Sequence, residues 1–258
     1  MRLNIRRTLQ LTSGFLTVGA VAVLSAQQPK TLSSSDGSRP LSQIITQLRK
    51  TEGIPICYED PRYRNSEDLQ DVTEPVSRGT TLEKQYGPRI VVPKGHAITF
   101  VYSRDSSEQA SALSTVKRML DQYAQLGGPS FTLEQDGTRL FVQPHLVNDA
   151  QGNQVQEGSI LDALITLPAQ RRTGEELLDA ICASVAAKSG FHIDVGSNAP
   201  SNLLRDYRTE AGFVNQPARQ VLAQLLDSLS KRQTYVWDLY YDPSDGDYAL
   251  NFAYVEKP

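Results

Sequence analysis

The sequence is poor in the residues that metal binding and nucleophilic catalysis use most often. It contains two cysteines, three histidines and one tryptophan in 258 residues. The histidines, His96, His145 and His192, are scattered, and no normal ligand spacing joins them to the cysteines. The Gly-x-Ser-x-Gly and His-Glu-x-x-His patterns of hydrolases and metalloproteases do not occur. We therefore expect no metal site, no cofactor and no catalytic residues.

An excess of positive charge is also missing. Lysine and arginine together number 26, against 29 aspartate and glutamate residues, which gives a formal net charge of −3. A mildly acidic protein creates no field that attracts nucleic acid or anionic lipid. Nucleic acid is therefore not an expected partner.

The apolar run near the N-terminus is too short for a confident membrane span, but it fits an export signal. Arg2, Arg6 and Arg7 precede a mostly apolar stretch from Leu9 to Leu24, and small residues lead up to Ala26. We expect cleavage after Ala26, a periplasmic or secreted location, and no membrane span in the mature chain. The alternative is that this segment stays on the protein as an uncleaved anchor.

Export to an oxidising compartment would permit a disulfide between Cys57 and Cys182. Such a bridge would close a long loop and so restrict the unfolded chain strongly. However, both cysteines lie in apolar patterns: Cys182 is on a helix with Leu178 and Val185, and Cys57 is in a short strand. Two separate buried thiols are therefore the alternative, and the sequence leaves both open.

The order of predicted elements divides the mature chain into two similar halves of α+β class. Residues 27–39 are polar and are predicted to be flexible. The first unit, 40–146, and the second unit, 159–258, each have the order helix, strand, loop, strand, helix and hairpin, and residues 147–158 are predicted to be a linker. In the first unit the loop 59–88 is long, which is typical of functional or mobile segments. One fused domain is the alternative to two tandem units.

Specific local signals support several of these elements. Pro40 and Gly53 mark the start and the end of the first helix, and Thr173 with Glu176 predicts a capping box on the first helix of the second unit. Near the C-terminus, Pro217 predicts the start of a helix. Asn215 or Gln216 is expected to cap that helix. Its predicted apolar face consists of Val221, Leu222, Leu225, Leu226 and Leu229.

Two alternating aromatic strands follow this helix and are predicted to form a hairpin. In the first strand Tyr235, Trp237 and Leu239 share a face. The connection from Asp242 to Asp247 contains proline, glycine and aspartate, which favours a turn. Its oxygen atoms could also bind calcium, although the spacing differs from that of an EF-hand.

The second half resembles the short N-terminal (STN) signalling domain found before bacterial secretins and TonB-dependent receptors. The resemblance rests on the strand 165–170 (ITLPAQ), the helix 177–190, the strand 191–195 (FHIDV) and the second helix 216–229. It covers about 160–255, and the first unit shares only the order of elements. The resemblance implies small βαβ-βαββ units, with helices packed on small mixed sheets, that bind partner proteins in the periplasm. It implies no catalytic residues. Because no channel or barrel sequence follows in this chain, we expect a free-standing pair of units.

A candidate binding surface lies at the start of the long loop. Tyr58, Glu59, Arg62, Tyr63 and Arg64 combine charge with aromatic rings, a composition suited to protein–protein contact. The alternative is an ordinary solvated loop.

Two functional hypotheses follow. The first is a non-catalytic exported interaction module that binds another envelope protein. The sequence specifies neither the identity of that partner nor the oligomeric state of this chain. The second is a secreted hydrolase or small-ligand-binding protein with a site between the two units. For the second, His192 and Asp194 could form a general base and its orienting group, although residues two apart on an exposed strand are usually solvated.

Overall fold

The computed structural model describes residues 29–35, 37–73, 90–95, 97–103 and 108–256, with side chains from 112 onward in the last range. The predicted export signal and residues 74–88 of the predicted loop 59–88 lie outside the described residues. The described helices are α1 (Pro40–Glu52), α2 (Glu108–Gln125), α3 (Gly174–Ser189), α4 (Ser201–Asp206) and α5 (Ala218–Leu229). The strands are β1 (Lys30–Ser33), β2 (Ile56–Glu59), β3 (Leu69–Asp71), β4 (Val91–Pro93), β5 (Thr99–Tyr102), β6 (Ser130–Asp136), β7 (Arg139–Asn148), β8 (Gln154–Gln156), β9 (Leu164–Leu167), β10 (Arg172–Thr173), β11 (Ile193–Val195), β12 (Arg208–Thr209), β13 (Phe213–Pro217), β14 (Gln233–Asp242) and β15 (Asp247–Glu256). The predicted α+β class is confirmed.

Local signals in the sequence account for the helix ends. Helix α1 has Pro40 in its first turn, and Gly53 ends it in a left-handed conformation with φ of 64°. Helix α3 has the predicted capping box, in which the Thr173 hydroxyl accepts from the Glu176 N–H at 3.0 Å. The Glu176 carboxylate accepts from the Thr173 N–H at 2.6 Å, so two free backbone donors at the helix start are satisfied.

A seven-stranded mixed sheet lies at the centre of the fold. Its strands run in the order β11–β15–β14–β2–β7–β6, and β8 pairs with the far end of β7. Strand β2 is parallel to β14, with Tyr58 opposite Asp238 and Glu59 opposite Leu239. The predicted first and second halves therefore contribute neighbouring strands to one continuous sheet.

The pairing of strands follows the same pattern in both halves. In the first half, β2 runs parallel to β7, β7 is antiparallel to β6, and β1 pairs separately with β5. In the second half, β11 runs parallel to β15, β15 is antiparallel to β14, and β9 pairs separately with β13. Each half thus contributes a matching set of three strands to the central sheet, and the two sets meet where β2 pairs with β14. Each half also has two separate two-stranded sheets, β1–β5 and β3–β4 in the first half and β9–β13 and β10–β12 in the second.

Helices cover both faces of the central sheet. Side chains of β2 alternate between them: Ile56 and Tyr58 pack into the core that contains α1 and α2, whereas Cys57 packs into the core that contains α3 and α5. On β14, Trp237 points to the α5 side and is fully buried, with its ring centroid 5.5 Å from that of Phe141. Amphipathic helices and alternating strands thereby build two cores that share one sheet.

Two predicted irregular segments contain regular structure. The stretch 27–39, predicted to be flexible, includes β1, which pairs along its whole length with β5. The stretch 147–158, predicted to be a linker, includes β8 and the end of β7. Pairing with the distant strand β5 fixes β1, whereas β8 pairs with the nearby end of β7 in a local hairpin.

The predicted cap of α5 is wrong. The helix begins at Ala218, and Pro217 at its cap position makes no side-chain cap hydrogen bond. The residues before it form β13, in which Gln216 pairs with Ile165 of β9. Asn215 lies at an irregularity of this pairing with φ of 51°. Tertiary strand pairing thus replaces the local cap.

No helix among the described residues has the length and apolar character that crossing a bilayer requires.

Candidate functional site

Two of the predicted binding residues lie inside the protein. Tyr58 and Glu59 are each 1% exposed, because β2 has β7 on one side and β14 on the other, and helices cover both faces. Neither side chain can contribute to a contact surface in this state. The prediction that Tyr58 and Glu59 belong to a binding surface is therefore wrong, because β2 is a central strand of the sheet.

The neighbouring arginines are engaged within the fold. The Arg62 N–H donates to Glu157 Oε1 at 2.7 Å, and its guanidinium Nε lies 3.1 Å from Glu157 Oε2. Arg64 Nη2 lies 3.4 Å from the same oxygen, and the Arg62 guanidinium carbon lies 5.0 Å from the ring centroid of Phe191. Buried Glu157 therefore fixes the start of the long loop. Arg62 and Tyr63 also line a small cleft of ≈40 Å³.

A second ion pair, between half-buried Arg39 and buried Asp60, lies next to this loop. Arg39 Nε donates to Asp60 Oδ2 at 2.5 Å, and Arg39 Nη2 donates to the Tyr241 carbonyl at 2.6 Å. The Tyr58 hydroxyl donates to Asp60 Oδ1 at 2.8 Å. Burial raises the pKa of the Asp60 carboxyl, and the charge of Arg39 opposes this only in part. The cluster connects the residue before α1, the end of β2 and β14.

The third buried ion pair joins the two halves directly. Arg49 on α1 makes a two-pronged contact with Asp238 on β14, with both nitrogen–oxygen distances at 2.7 Å. Arg49 also donates to the carbonyls of Ile56, at 2.8 Å, and Trp237, at 3.3 Å. The side chains are only 5% and 9% exposed, so the contact lies in the interior where a charge needs its partner.

On the α5 side of the sheet, several buried polar atoms have no hydrogen-bond partner in the described part of the chain. They are both carboxylate oxygens of Glu59, Gln143 Nε2, Trp237 Nε1 and Arg219 Nε. Ser159 and Trp237 lie close to the Glu59 carboxylate without forming a hydrogen bond of normal geometry. Burial raises the pKa of Glu59, and the Arg219 charge opposes this. Sequence reasoning placed Glu59 on a surface and did not identify this cluster.

A groove adjoins the cluster, between the β6–β7 hairpin and α5. It consists of two adjoining cavities of ≈170 and ≈480 Å³ that share Asp136, Phe141, Gln220 and Ala223. Because β6 and β7 belong to the first half and α5 to the second, the groove lies between the halves. The sequence predicted this helix and a hairpin at the end of the first unit, but nothing in it indicated that the two face each other.

Two arginines span the groove. Arg219 on α5, which is 7% exposed, contacts Asp162 and donates to Glu134 Oε2 at 3.1 Å. Arg139 on β7, 5% exposed, contacts both carboxylate oxygens of Asp227 on α5, at 2.9 and 2.8 Å. These contacts connect the hairpin to the helix on both sides of the groove.

The pair considered for acid–base chemistry lies on the surface. His192 Nε2 is 3.1 Å from Asp194 Oδ1, and the two side chains are 64% and 75% exposed.

The turn from Asp242 to Asp247 closes the β14–β15 hairpin as predicted: its Ser244 N–H donates to Asp242 Oδ1 at 2.8 Å. The Ser244 hydroxyl donates to the Val91 carbonyl at 3.1 Å, which ties the turn to β4. Within the described residues no group of three or more potential ligands forms a metal site.

The cysteines follow the second of the two alternatives. Cys57 and Cys182 are separate free thiols, and both are buried in the core that contains α3 and α5. Burial raises the pKa of each thiol to about 12. Burial and the raised pKa together predict that both thiols are unreactive at neutral pH.

Comparison with known proteins adds no identity to these observations, because no family model, curated protein or solved structure matches this chain.

Proposed function

We propose that this chain is an exported, non-catalytic interaction module, built from two tandem units of the secretin and TonB-receptor signalling type, that binds another envelope protein. Support comes from the order of elements, which is strand, helix, strand, strand, helix, strand, strand in both halves once the short strands β3, β4, β8, β10 and β12 and the short helix α4 are set aside. The repeated pairing pattern is the one expected of two related units.

The observation that carries the proposal is the free edge of β6. Among the described strands this seven-residue strand pairs only with β7, and it ends the central sheet. Its last residues, Glu134, Gln135 and Asp136, are exposed. A free strand edge presents unpaired N–H and C=O groups, and partner proteins use such edges by adding a strand.

Site-specific crosslinking tests this proposal. A photoreactive amino acid at Gln135, on the exposed end of β6, is expected to crosslink an envelope protein when the chain is produced in its own cell compartment. The matched control carries the same group at Lys188, an exposed position on α3. Equal crosslinking from both positions, or none from Gln135, would contradict a partner at this edge. The captured protein is then purified and its binding to the intact chain measured directly.

The export part of the proposal has its own test. The protein recovered from the periplasmic fraction is expected to begin at Gln27. A cytoplasmic protein with an intact N-terminus would contradict export.

The groove between the halves favours the ligand-binding form of the second hypothesis over the hydrolase form. It offers a concave surface between α5 and a hairpin, as small-ligand sites often do. A hydrolase would need activity that depends on pH and is lost in His192→Ala and Asp194→Asn. Such activity would overturn the interaction module.

A further inference from the structure

The groove between the β6–β7 hairpin and α5 carries more negative charge than its arginines neutralise. Four carboxylates and two guanidinium groups line it: Glu134, Asp136, Asp162, Asp227, Arg139 and Arg219. Asp227 is matched by Arg139, whereas Glu134 and Asp162 share the single charge of Arg219. Asp136 is exposed and has no ion-pair partner among the described residues. The groove therefore has two negative charges in excess.

One buried donor in the groove also has no acceptor. Arg219 uses its two terminal nitrogens on Glu134 and Asp162, and its Nε is buried without a hydrogen-bond partner in the described chain. Arg219 is 7% exposed and is one of the residues that line the smaller cavity. A buried N–H without an acceptor costs free energy, so this position favours a ligand that brings a carbonyl oxygen.

The two features together restrict the chemistry of the ligand. The carboxylates favour a cation, Arg219 Nε favours a neutral acceptor, and Phe141 and Ala223 provide an apolar floor for methylene groups. A protonated polyamine has the cation and the methylenes but no acceptor. A peptide with a lysine or arginine side chain has all three, because its backbone supplies the carbonyl and its side chain supplies the rest.

We infer that the groove binds an extended, lysine- or arginine-bearing segment of the partner protein. The basic side chain lies along Phe141 toward Asp136 and Glu134, and a backbone carbonyl of the segment accepts from Arg219 Nε. This inference rests on the proposed interaction function and specifies the chemistry of its partner. The groove adjoins the exposed end of β6, so one segment can contact both.

Direct binding to the full mature chain tests the inference. The probe is a short fluorescent peptide in which lysine alternates with serine, with blocked ends, and fluorescence anisotropy is measured at low ionic strength. The reference peptide has glutamine in place of lysine, and spermidine serves as the cation without an acceptor. The lysine peptide is expected to bind and the glutamine peptide to bind at least about tenfold more weakly, because several charge contacts act together.

Two variants of groove residues and one control variant locate the site. Asp136→Asn is expected to lower the affinity for the lysine peptide roughly three- to fivefold, which is the range for one exposed charge pair. Asp179→Asn, which removes an exposed carboxylate from α3 on another surface, is expected to leave binding unchanged. Arg219→Lys keeps the charge but removes the fixed Nε donor. It is therefore expected to weaken binding of the lysine peptide and to leave binding of spermidine unchanged. A purely structural role of Arg219 would not change this selectivity.

The possible outcomes separate the inference from the proposed function. Equal loss in Asp136→Asn and Asp179→Asn, spermidine binding as tightly as the peptide, or no binding of the lysine peptide would each overturn the inference. Because Asp136 is exposed, its variant tests the site even where Arg219→Lys does not fold. Crosslinking from Gln135 that persists alongside one of these negative results would leave the interaction module standing with a partner of different chemistry. Loss of both the crosslink from Gln135 and the binding of the lysine peptide would reject the interaction module as well.

Discussion

The buried pair Arg49–Asp238 offers a direct test of how the two halves are joined. Replacing Arg49 with methionine keeps a long apolar side chain on α1 but leaves the Asp238 carboxylate without its partner. The Ile56 and Trp237 carbonyls also lose a donor. Replacing Asp238 with leucine leaves Arg49 with only those two carbonyls. The double replacement exchanges the whole ion pair for an apolar contact.

The expected magnitudes follow from burial. With the two side chains only 5% and 9% exposed, water cannot replace a lost partner. Removing one member of such a buried pair costs about 3–5 kcal/mol of unfolding free energy. Replacing both by apolar residues is expected to leave stability nearly unchanged or to raise it by about 1–4 kcal/mol, because the cost of burying two charges disappears together with their attraction. The double-mutant cycle should therefore give a coupling energy of several kcal/mol.

Urea unfolding followed by tryptophan fluorescence measures these energies. Trp237 is the only tryptophan, is fully buried, and precedes Asp238 on β14, so its emission reports on the strand that joins the halves. The four proteins of the cycle are compared at neutral pH. A cost below about 1 kcal/mol for Arg49→Met, or a double variant as unstable as the sum of the single ones, would refute this account of the junction.

Three further predictions concern the core and a helix cap. Cys57 and Cys182 are expected to react with a thiol reagent at neutral pH only after unfolding. The electrophoretic mobility of the chain should not depend on added reductant. Rapid labelling of either cysteine in the folded protein would contradict the burial of the two thiols. Because burial raises the folded-state pKa of Glu59, its contribution to stability is fully present below the ordinary value of 4.5 and is lost as the pH rises through the folded pKa. Glu59→Gln should therefore stabilise the protein at pH 7 by about 1–3 kcal/mol, with the gain disappearing below that ordinary value, whereas destabilisation at pH 7 would show that the carboxylate is satisfied. Thr173→Ala should cost about 1 kcal/mol in thermal or urea unfolding, and Thr173→Ser, which keeps the cap, should cost much less.

The sequence predicted those parts of the fold that depend on near neighbours. Pro40 and Gly53 bound α1, Thr173 and Glu176 form the capping box of α3, and the turn after Asp242 closes a hairpin. In each case the residues that decide the structure lie within a few positions of one another. Hydrogen-bond geometry over such distances depends on the local order of residue types, which a sequence contains directly.

Features that depend on distant partners were missed or misplaced. Strand β2 was expected to lead into a surface loop, but it pairs with β14, and this buries Glu59. Glu157 was placed in a linker, although it holds both Arg62 and Arg64. Strand pairing brings together residues far apart in the chain, and no local pattern states which strands will be neighbours.

The junction between the halves and the groove depend on the same pairing. Strand β2 brings the β6–β7 hairpin to the second half through β7, and β14 belongs to the hairpin that follows α5, so the groove exists only where β2 and β14 are paired. A ligand that contacts Asp136 on the hairpin and Arg219 on α5 binds this joined state and not a separated one. By mass action such a ligand stabilises the joined state. By the same linkage, a change that weakens the junction lowers the affinity for the ligand. Arg49→Met, which touches no residue of the groove, should therefore lower peptide affinity only to the extent that it separates the halves.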